Sequence, residues 1–177
     1  MNQFQIIIAT IFISFSKASI IRMKKEDIKM LQEGDPAPTG IELPNQDGDI
    51  VNLEDFKGQK LVVYFYPRDN TPGCTTEAKN FRDNVEEYDE KGIKIVGISA
   101  DSVKSHKKFQ EKYNLNFTLL SDPEKVAIKK FGALVKGKVK RRTWLINEDW
   151  KIEQVYEKVS PSKHNDELCV YYGIKRR

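Results

Sequence analysis

A solid apolar run, Leu61-Val62-Val63-Tyr64-Phe65-Tyr66, stops abruptly at Pro67. It reads as a buried strand, and a strand of that kind needs cover on both sides. Eight residues follow it, Pro67-Arg68-Asp69-Asn70-Thr71-Pro72-Gly73-Cys74, and then a helical pattern with Ala78, Phe81, Val85 and Tyr88 on one face. Thr71 suits the N-cap and Pro72 the first helical position. Cys74 then falls in the first turn. There, unpaired backbone N–H groups and the positive end of the helix dipole favour a thiolate. A lone cysteine is otherwise a common buried space-filler. The strand, the Thr-Pro-Gly turn and the helix start together argue for a reactive thiol.

The rest of the chain alternates in the same way. Short strands at Ile41-Glu42-Leu43 and Asp49-Ile50-Val51-Asn52 flank an Asp47-Gly48 turn. Ile93 to Ile98 is a second buried strand. A helix capped near Asp101 or Ser102 follows, with Val103, Phe109 and Tyr113 inward. Phe117 to Leu120 is a short strand. Ser121-Asp122-Pro123-Glu124 starts a helix that Gly132 stops. Arg141–Asn147 and Lys151–Tyr156 form a hairpin around Glu148-Asp149, and Lys163–Tyr172 is a final helix. This order predicts an α/β fold, a central mixed sheet with helices on both faces.

The chain has 177 residues, enough for one domain with a sizeable core. Its 30 Lys+Arg against 26 Asp+Glu give a net charge of +4. A surface so evenly mixed is not an electrostatic footprint for nucleic acid. Two cysteines are too few for a disulfide framework, and no Cys-x-x-Cys is present. The two histidines, His106 and His164, lack ligand-like spacing. His106 reads as structural, His164 has no visible catalytic partner, and Trp144 and Trp150 read as core or hairpin packing.

Residues 1–33 differ from the remainder, which makes 34–177 the domain. Ile6 to Ile13 is too short to span a membrane comfortably. It has the look of a signal-peptide core, with Ser16-Lys17-Ala18 as a cleavage site but no Lys or Arg ahead of it. A start at Met23 or Met30 predicts a cytoplasmic protein; a targeting segment predicts a secretory or organellar one.

The basic run Lys136, Lys138, Lys140 and Arg142 reads as a solvated strand or loop rather than a nucleic-acid patch. Period two places those four on one face and Val139, Arg141, Thr143 and Leu145 on the other. Arg141 thereby leaves the lysine ladder, and Arg142 stays with it as a surface residue.

The pattern Pro67-x-x-x-Thr71-x-x-Cys74 resembles the active-site signature of the peroxiredoxins. The longer string Tyr64 to Ala78 resembles their bacterioferritin-comigratory, or Q-type, branch. The likeness continues in Asn80-Phe81-Arg82-Asp83, Gly97-Ile98-Ser99-Ala100-Asp101 and Asn116 to Asp122, and spans about Gly34 to Glu167. The resemblance implies a thioredoxin-like fold and a thiol peroxidase that reduces hydrogen peroxide and small organic hydroperoxides. It implies Cys74 as the peroxidatic cysteine, oxidised to a sulfenic acid. Thr71 would hydrogen-bond the thiolate and peroxide, and Pro67 would shield the pocket from water. The family arginine falls at Arg141, six residues before Asn147, with Glu77 as the carboxylate that orients it. Glu77 also suits a simple dipole cap. The chemistry fits these residue types. A thiolate displacing an alkoxide spreads negative charge over sulfur and both oxygens, and a guanidinium and a hydroxyl stabilise it. No metal or organic cofactor is required.

Many Q-type members carry a resolving cysteine five residues after the peroxidatic one, where this chain has Lys79. Two routes then remain. Cys169 resolves the sulfenic acid, or an external thiol such as thioredoxin, glutaredoxin or glutathione attacks it. The second is favoured, because a disulfide needs Cα atoms within about 7 Å and both cysteines sit on helices. A peroxide sensor or chaperone-like redox switch on the same fold is the competing function, and monomer and homodimer stay open.

Overall fold

A computed structural model describes residues 30–175. The apolar segment at Ile6–Ile13 and the alternative starts lie outside the described residues. Strands β1 (Glu42–Pro44) and β2 (Ile50–Asn52) form an antiparallel hairpin over the expected Asp47-Gly48 turn. Gly48 takes φ 93° there, a conformation that favours glycine. A 3-10 turn, Leu53–Phe56, leads into β3 (Lys60–Phe65).

After β3 come α1 (Pro72–Arg82), α2 (Val85–Glu90), β4 (Ile93–Ser99), α3 (Val103–Tyr113), β5 (Thr118–Ser121) and α4 (Val126–Lys130). A small hairpin follows, β6 (Leu134–Val135) with β7 (Lys138–Val139). Then come β8 (Arg142–Ile146), β9 (Ile152–Tyr156) and α5 (His164–Tyr172). The central sheet has the order β5-β4-β3-β8-β9. β3, β4 and β5 are parallel; β8 and β9 run antiparallel to their neighbours.

β3 is the middle strand, as its unbroken apolarity predicts. Its alternating side chains seed two cores. Leu61, Val63 and Phe65 join Val96, Ile98, Ile128, Phe131, Trp144 and Ile146 on one face. Val62 and Tyr64, with Tyr66 just beyond the strand, join Cys74, Phe81, Tyr88, Phe109, Leu145, Leu168 and Cys169 on the other. The parallel register sets Tyr64 opposite Gly97. A Cβ at Gly97 would lie 2.7 Å from the Tyr64 ring. Overpacking of that order costs about 1–3 kcal/mol.

Several expectations are corrected. The helix carrying Ala78, Phe81, Val85 and Tyr88 is two helices, broken at Asp83-Asn84. α4 begins at Val126, later than Ser121–Glu124 implies, although the Asp122 carboxylate still accepts the N–H groups of Val126 and Ile128. The basic run is not one strand. Lys136 and Gly137, both at positive φ, make the turn of the β6–β7 hairpin, so alternation cannot be carried back through them. It holds only from Arg141 onward. Arg142 is not a free surface residue either: its Nη1 donates to the Gly132 carbonyl at 2.7 Å. The packing also begins before residue 34. The Trp144 indole N–H donates to the Leu31 carbonyl at 3.1 Å, and Met30 lies against Gly132.

Candidate active site

The loop between β3 and α1 is tightly turned. Asn70 has φ 57°, a left-handed conformation that asparagine tolerates better than most residues. Thr71 occupies the N-cap position, and its carbonyl accepts the Thr75 N–H at 2.9 Å. Its side chain does not cap the helix; the hydroxyl donates to the Arg68 carbonyl at 3.0 Å. Pro72 is the first helical residue, where the N–H it lacks would have had no partner. Pro67 is exposed at the head of the loop.

Cys74 lies in the first turn of α1 and is 2% exposed. The thiol meets a cation that the chain brings from 67 residues away: Arg141 Nη2 donates to Cys74 Sγ at 3.1 Å. The other terminal nitrogen, Nη1, donates to Glu77 Oε2 in a short contact. One guanidinium therefore bridges the thiol and a carboxylate one turn further along the same helix. The arrangement follows from two local rules. Positions three apart on a helix lie on one side. Arg141 stands just before β8, in phase with Thr143 and Leu145, and so on the sheet face that carries α1.

Burial dominates the electrostatics. It pushes the Glu77 carboxyl up to about 7, and Arg141 pulls against that shift. The second carboxylate oxygen, Oε1, is buried with no hydrogen-bond partner. For Arg141, burial opposes the charge, but Glu77 and Cys74 more than offset it and the guanidinium is held above its ordinary value.

The wall around this cluster was not foreseen from sequence. A Cβ on Gly73 would stand 3.3 Å from Pro161 Cγ and 3.5 Å from Arg141 Nη2, so Pro161 abuts the first turn. Asn80 Nδ2 reaches the Pro161 carbonyl at 3.4 Å. His164, the first residue of α5, is buried, with Nε2 2.8 Å from Thr143 Oγ1. Burial, and then the nearby Arg141 charge, pull its pKa down to about 4. An open groove of about 650 Å³ runs past Arg141, lined by Val135, Lys140, Arg142, Glu157 and Lys158.

Cys169 shares the core cluster with Cys74 but has different company. Tyr88 Oη is 3.7 Å and Asn165 Nδ2 3.6 Å from its Sγ. Neither cysteine is joined in a disulfide. Lys79 is exposed on α1. Among the described residues, no helix is long and apolar enough to cross a membrane, and no group of three His, Cys, Asp or Glu is placed to hold a metal ion.

A mixed α/β sheet presenting a buried thiol, at a helix N-terminus, to a guanidinium defines a thiol redox protein. Comparison with known proteins narrows that class. Residues 34–155 match the AhpC/TSA family. Peroxiredoxin Bcp of Escherichia coli is 44% identical over 144 residues, covering 77% of this chain and 92% of the relative. The chloroplastic peroxiredoxin Q of Sedum lineare is 39% identical over 164 residues, 88% of each. The solved bacterioferritin comigratory protein of Xanthomonas campestris superposes with a TM-score of 0.76 at 31% identity, covering 80% of this chain and 98% of that one. The chain belongs to the AhpC/TSA family, as a thioredoxin-like peroxiredoxin of the Bcp and Q kind.

Proposed function

We propose that Cys74 is the thiol that reduces peroxide, with Arg141 as the group that stabilises the reacting charge. The observation that carries this reading is the guanidinium shared between Cys74 Sγ and Glu77. The enzyme is a thiol-dependent peroxidase, acting on hydrogen peroxide and small organic hydroperoxides. The X. campestris relative is described by its alkyl peroxide reduction activity, which agrees with that substrate class.

In the first half-reaction the Cys74 thiolate attacks one peroxide oxygen. The S–O bond forms as the O–O bond breaks. The departing alkoxide or hydroxide takes a proton and leaves as alcohol or water, and Cys74 becomes a sulfenic acid. Negative charge passes from sulfur onto oxygen, and Arg141 sits where it can follow that charge at no reorganisation cost. Glu77 holds the guanidinium plane. Thr71, one turn ahead of the thiol, supplies a hydroxyl, and Pro67 borders the approach.

In the second half-reaction an external thiol, such as thioredoxin, glutaredoxin or glutathione, attacks the sulfenic sulfur and releases water. A second thiol then frees Cys74 and leaves as a disulfide. Lys79 stands where many relatives place a resolving thiol, and Cys169 is bedded against Tyr88 and Asn165. Both features favour the external route. Peroxide consumption with a thiol donor tests the reading. The wild type should turn over many times and Cys74→Ser not at all. One oxidation and then arrest in every donor tried would favour the sensor.

A further inference from the structure

We infer that Asp69 and His106 form a positioning pair that sets the register in which α1 presents Cys74 to Arg141. The inference rests on the reading of Cys74 as the peroxide-reducing thiol.

Asp69 belongs to the loop that precedes α1, two residues before the N-cap. Its side chain is 2% exposed, an unusual place for a carboxylate unless every oxygen is served. Here each is. Tyr66 Oη donates to Oδ1 at 2.8 Å and Ser105 Oγ to Oδ2 at 2.7 Å. His106 Nδ1 lies 3.1 and 2.9 Å from the two oxygens. The loop backbone is tied as well: Asp69 N–H donates to Asp101 Oδ2 at 2.9 Å, and Ser99 Oγ donates to that same oxygen at 2.7 Å.

His106 is the pivot of this network. It is completely buried on α3, and its Nε2 lies 3.2 Å from the Leu120 carbonyl of β5. The Leu120 carbonyl faces Nε2 and the Asp69 carboxylate faces Nδ1, so an acceptor stands at each ring nitrogen. The pair spans the loop, α3 and the end of β5. The groups that face it are Tyr66, Asp101, Ser99 and Ser105; of these only Asp101 adds a charge.

The geometry explains why such a costly group is kept. Arg141 reaches Cys74 from just before β8, on the sheet face that carries α1, and its bonds go to Cys74 and Glu77 on the helix, beyond the loop. The other end of the alignment, the start of α1, hangs on the 67–70 turn. That turn passes through Asn70 at φ 57°, and Thr71 after it gives the helix no side-chain cap. Without a tether the first turn of α1 shifts against the guanidinium, and a misplacement of about 1 Å in such a site costs about 100-fold in rate.

The experiment uses the full chain as wild type, Asp69→Asn, His106→Gln, the double variant and Ser105→Ala. Two rates are measured for each, well below its melting temperature. One is single-turnover oxidation of Cys74 by hydrogen peroxide. The other is alkylation of Cys74 by iodoacetamide, read by mass spectrometry of its peptide. Asp69→Asn and His106→Gln should each slow peroxide oxidation about 10- to 100-fold. Alkylation should stay level or quicken, since it needs an accessible thiol and not the Arg141 alignment. The double variant should be no slower than the worse single, because both break one unit. Ser105→Ala, which removes a single donor, should slow oxidation a few-fold and is the deciding variant if the others do not fold. Peroxide rates equal to wild type in the folded variants would overturn the inference, as would peroxide and alkylation rates falling together or additive effects in the double variant. A wild type that does not react with peroxide would instead overturn the reading of Cys74.

Discussion

Two buried carboxylates flank Cys74 in sequence, five residues before it and three after, and they behave in opposite ways. Asp69 and Glu77 are 6% and 1% exposed as whole residues, and Asp69 faces the His106 ring while Glu77 faces the Arg141 guanidinium. Burial raises both. At Asp69 the bonds from His106, Ser105 and Tyr66 more than offset burial, and the carboxyl is held below its ordinary value. At Glu77 one partner is not enough: Oε1 has none, and the carboxyl rises to about 7. Two things differ: Glu77 is the more deeply buried, and it has fewer donors. A fully served carboxylate is an anchor. An underserved one leaves its arginine free to turn toward a second acceptor, and here that acceptor is the Cys74 sulfur.

The sharpest way to break this comparison is at the shared guanidinium. Arg141→Ala should slow the peroxide step about 100- to 1000-fold, the usual cost of about 3–4 kcal/mol for losing one charge-stabilising donor. Arg142→Ala should leave that step within about twofold. It should lose about 1 kcal/mol of stability through the Gly132 carbonyl bond. Stopped-flow oxidation and denaturant melts of the two variants give both numbers. Equal kinetic effects would mean that the face assignment from Arg141 to Leu145 does not govern the chemistry.

Glu77→Gln should cost less, about tenfold in the same step, since one charge-assisted bond to Arg141 weakens to a neutral one. It should also change how stability varies with pH. Glu77 binds its proton more tightly folded than unfolded. Its contribution is therefore full below about 4.5 and lost as pH rises through about 7. Glu77→Gln removes that loss. Asp69→Asn acts on the other side: a lowered carboxyl stabilises the fold above its ordinary value of 3.8, and that stability is lost on acidification. Denaturant midpoints across pH should show opposite slopes removed by the two variants. Matching slopes would end the comparison.

His164 sharpens the same point with a neutral group. Burial holds it near 4, below its ordinary 6.5, so its stabilising share is present above 6.5 and falls away toward 4. His164→Asn should shrink that acid-side loss by on the order of 1–3 kcal/mol, measured by the same melts. The smallest expected effect is at Cys169. Cys169→Ser should leave peroxide turnover with an external thiol unchanged and cost about 1–2 kcal/mol for burying a hydroxyl. In wild type, stoichiometric peroxide without thiol should leave a sulfenic acid that dimedone traps. A Cys74–Cys169 disulfide would show that the internal route operates.

Much of the fold was legible because local chemistry agreed with it. The unbroken run at 61–66, the Thr71-Pro72 helix start and the alternation in β8 each gave the right element, since burial on both sides, a missing N–H and a period of two are properties of short segments. The errors share a cause. Lys136-Gly137 turns where a period of two was carried through the basic run, and Asp83-Asn84 breaks a continuous apolar stripe, because backbone turns are decided by what the flanking residues pack against. Sequence by itself determined that Cys74 opens a helix and that Arg141 shares the phase of Thr143 and Leu145. Only the tertiary structure decided that Arg141 touches both Cys74 and Glu77, that Pro161 and His164 wall the site, and that Asp69 is an anchor on His106. Those contacts join residues 20 to 90 positions apart, and their strength depends on desolvation and donor count, which exist only once the chain has closed around them.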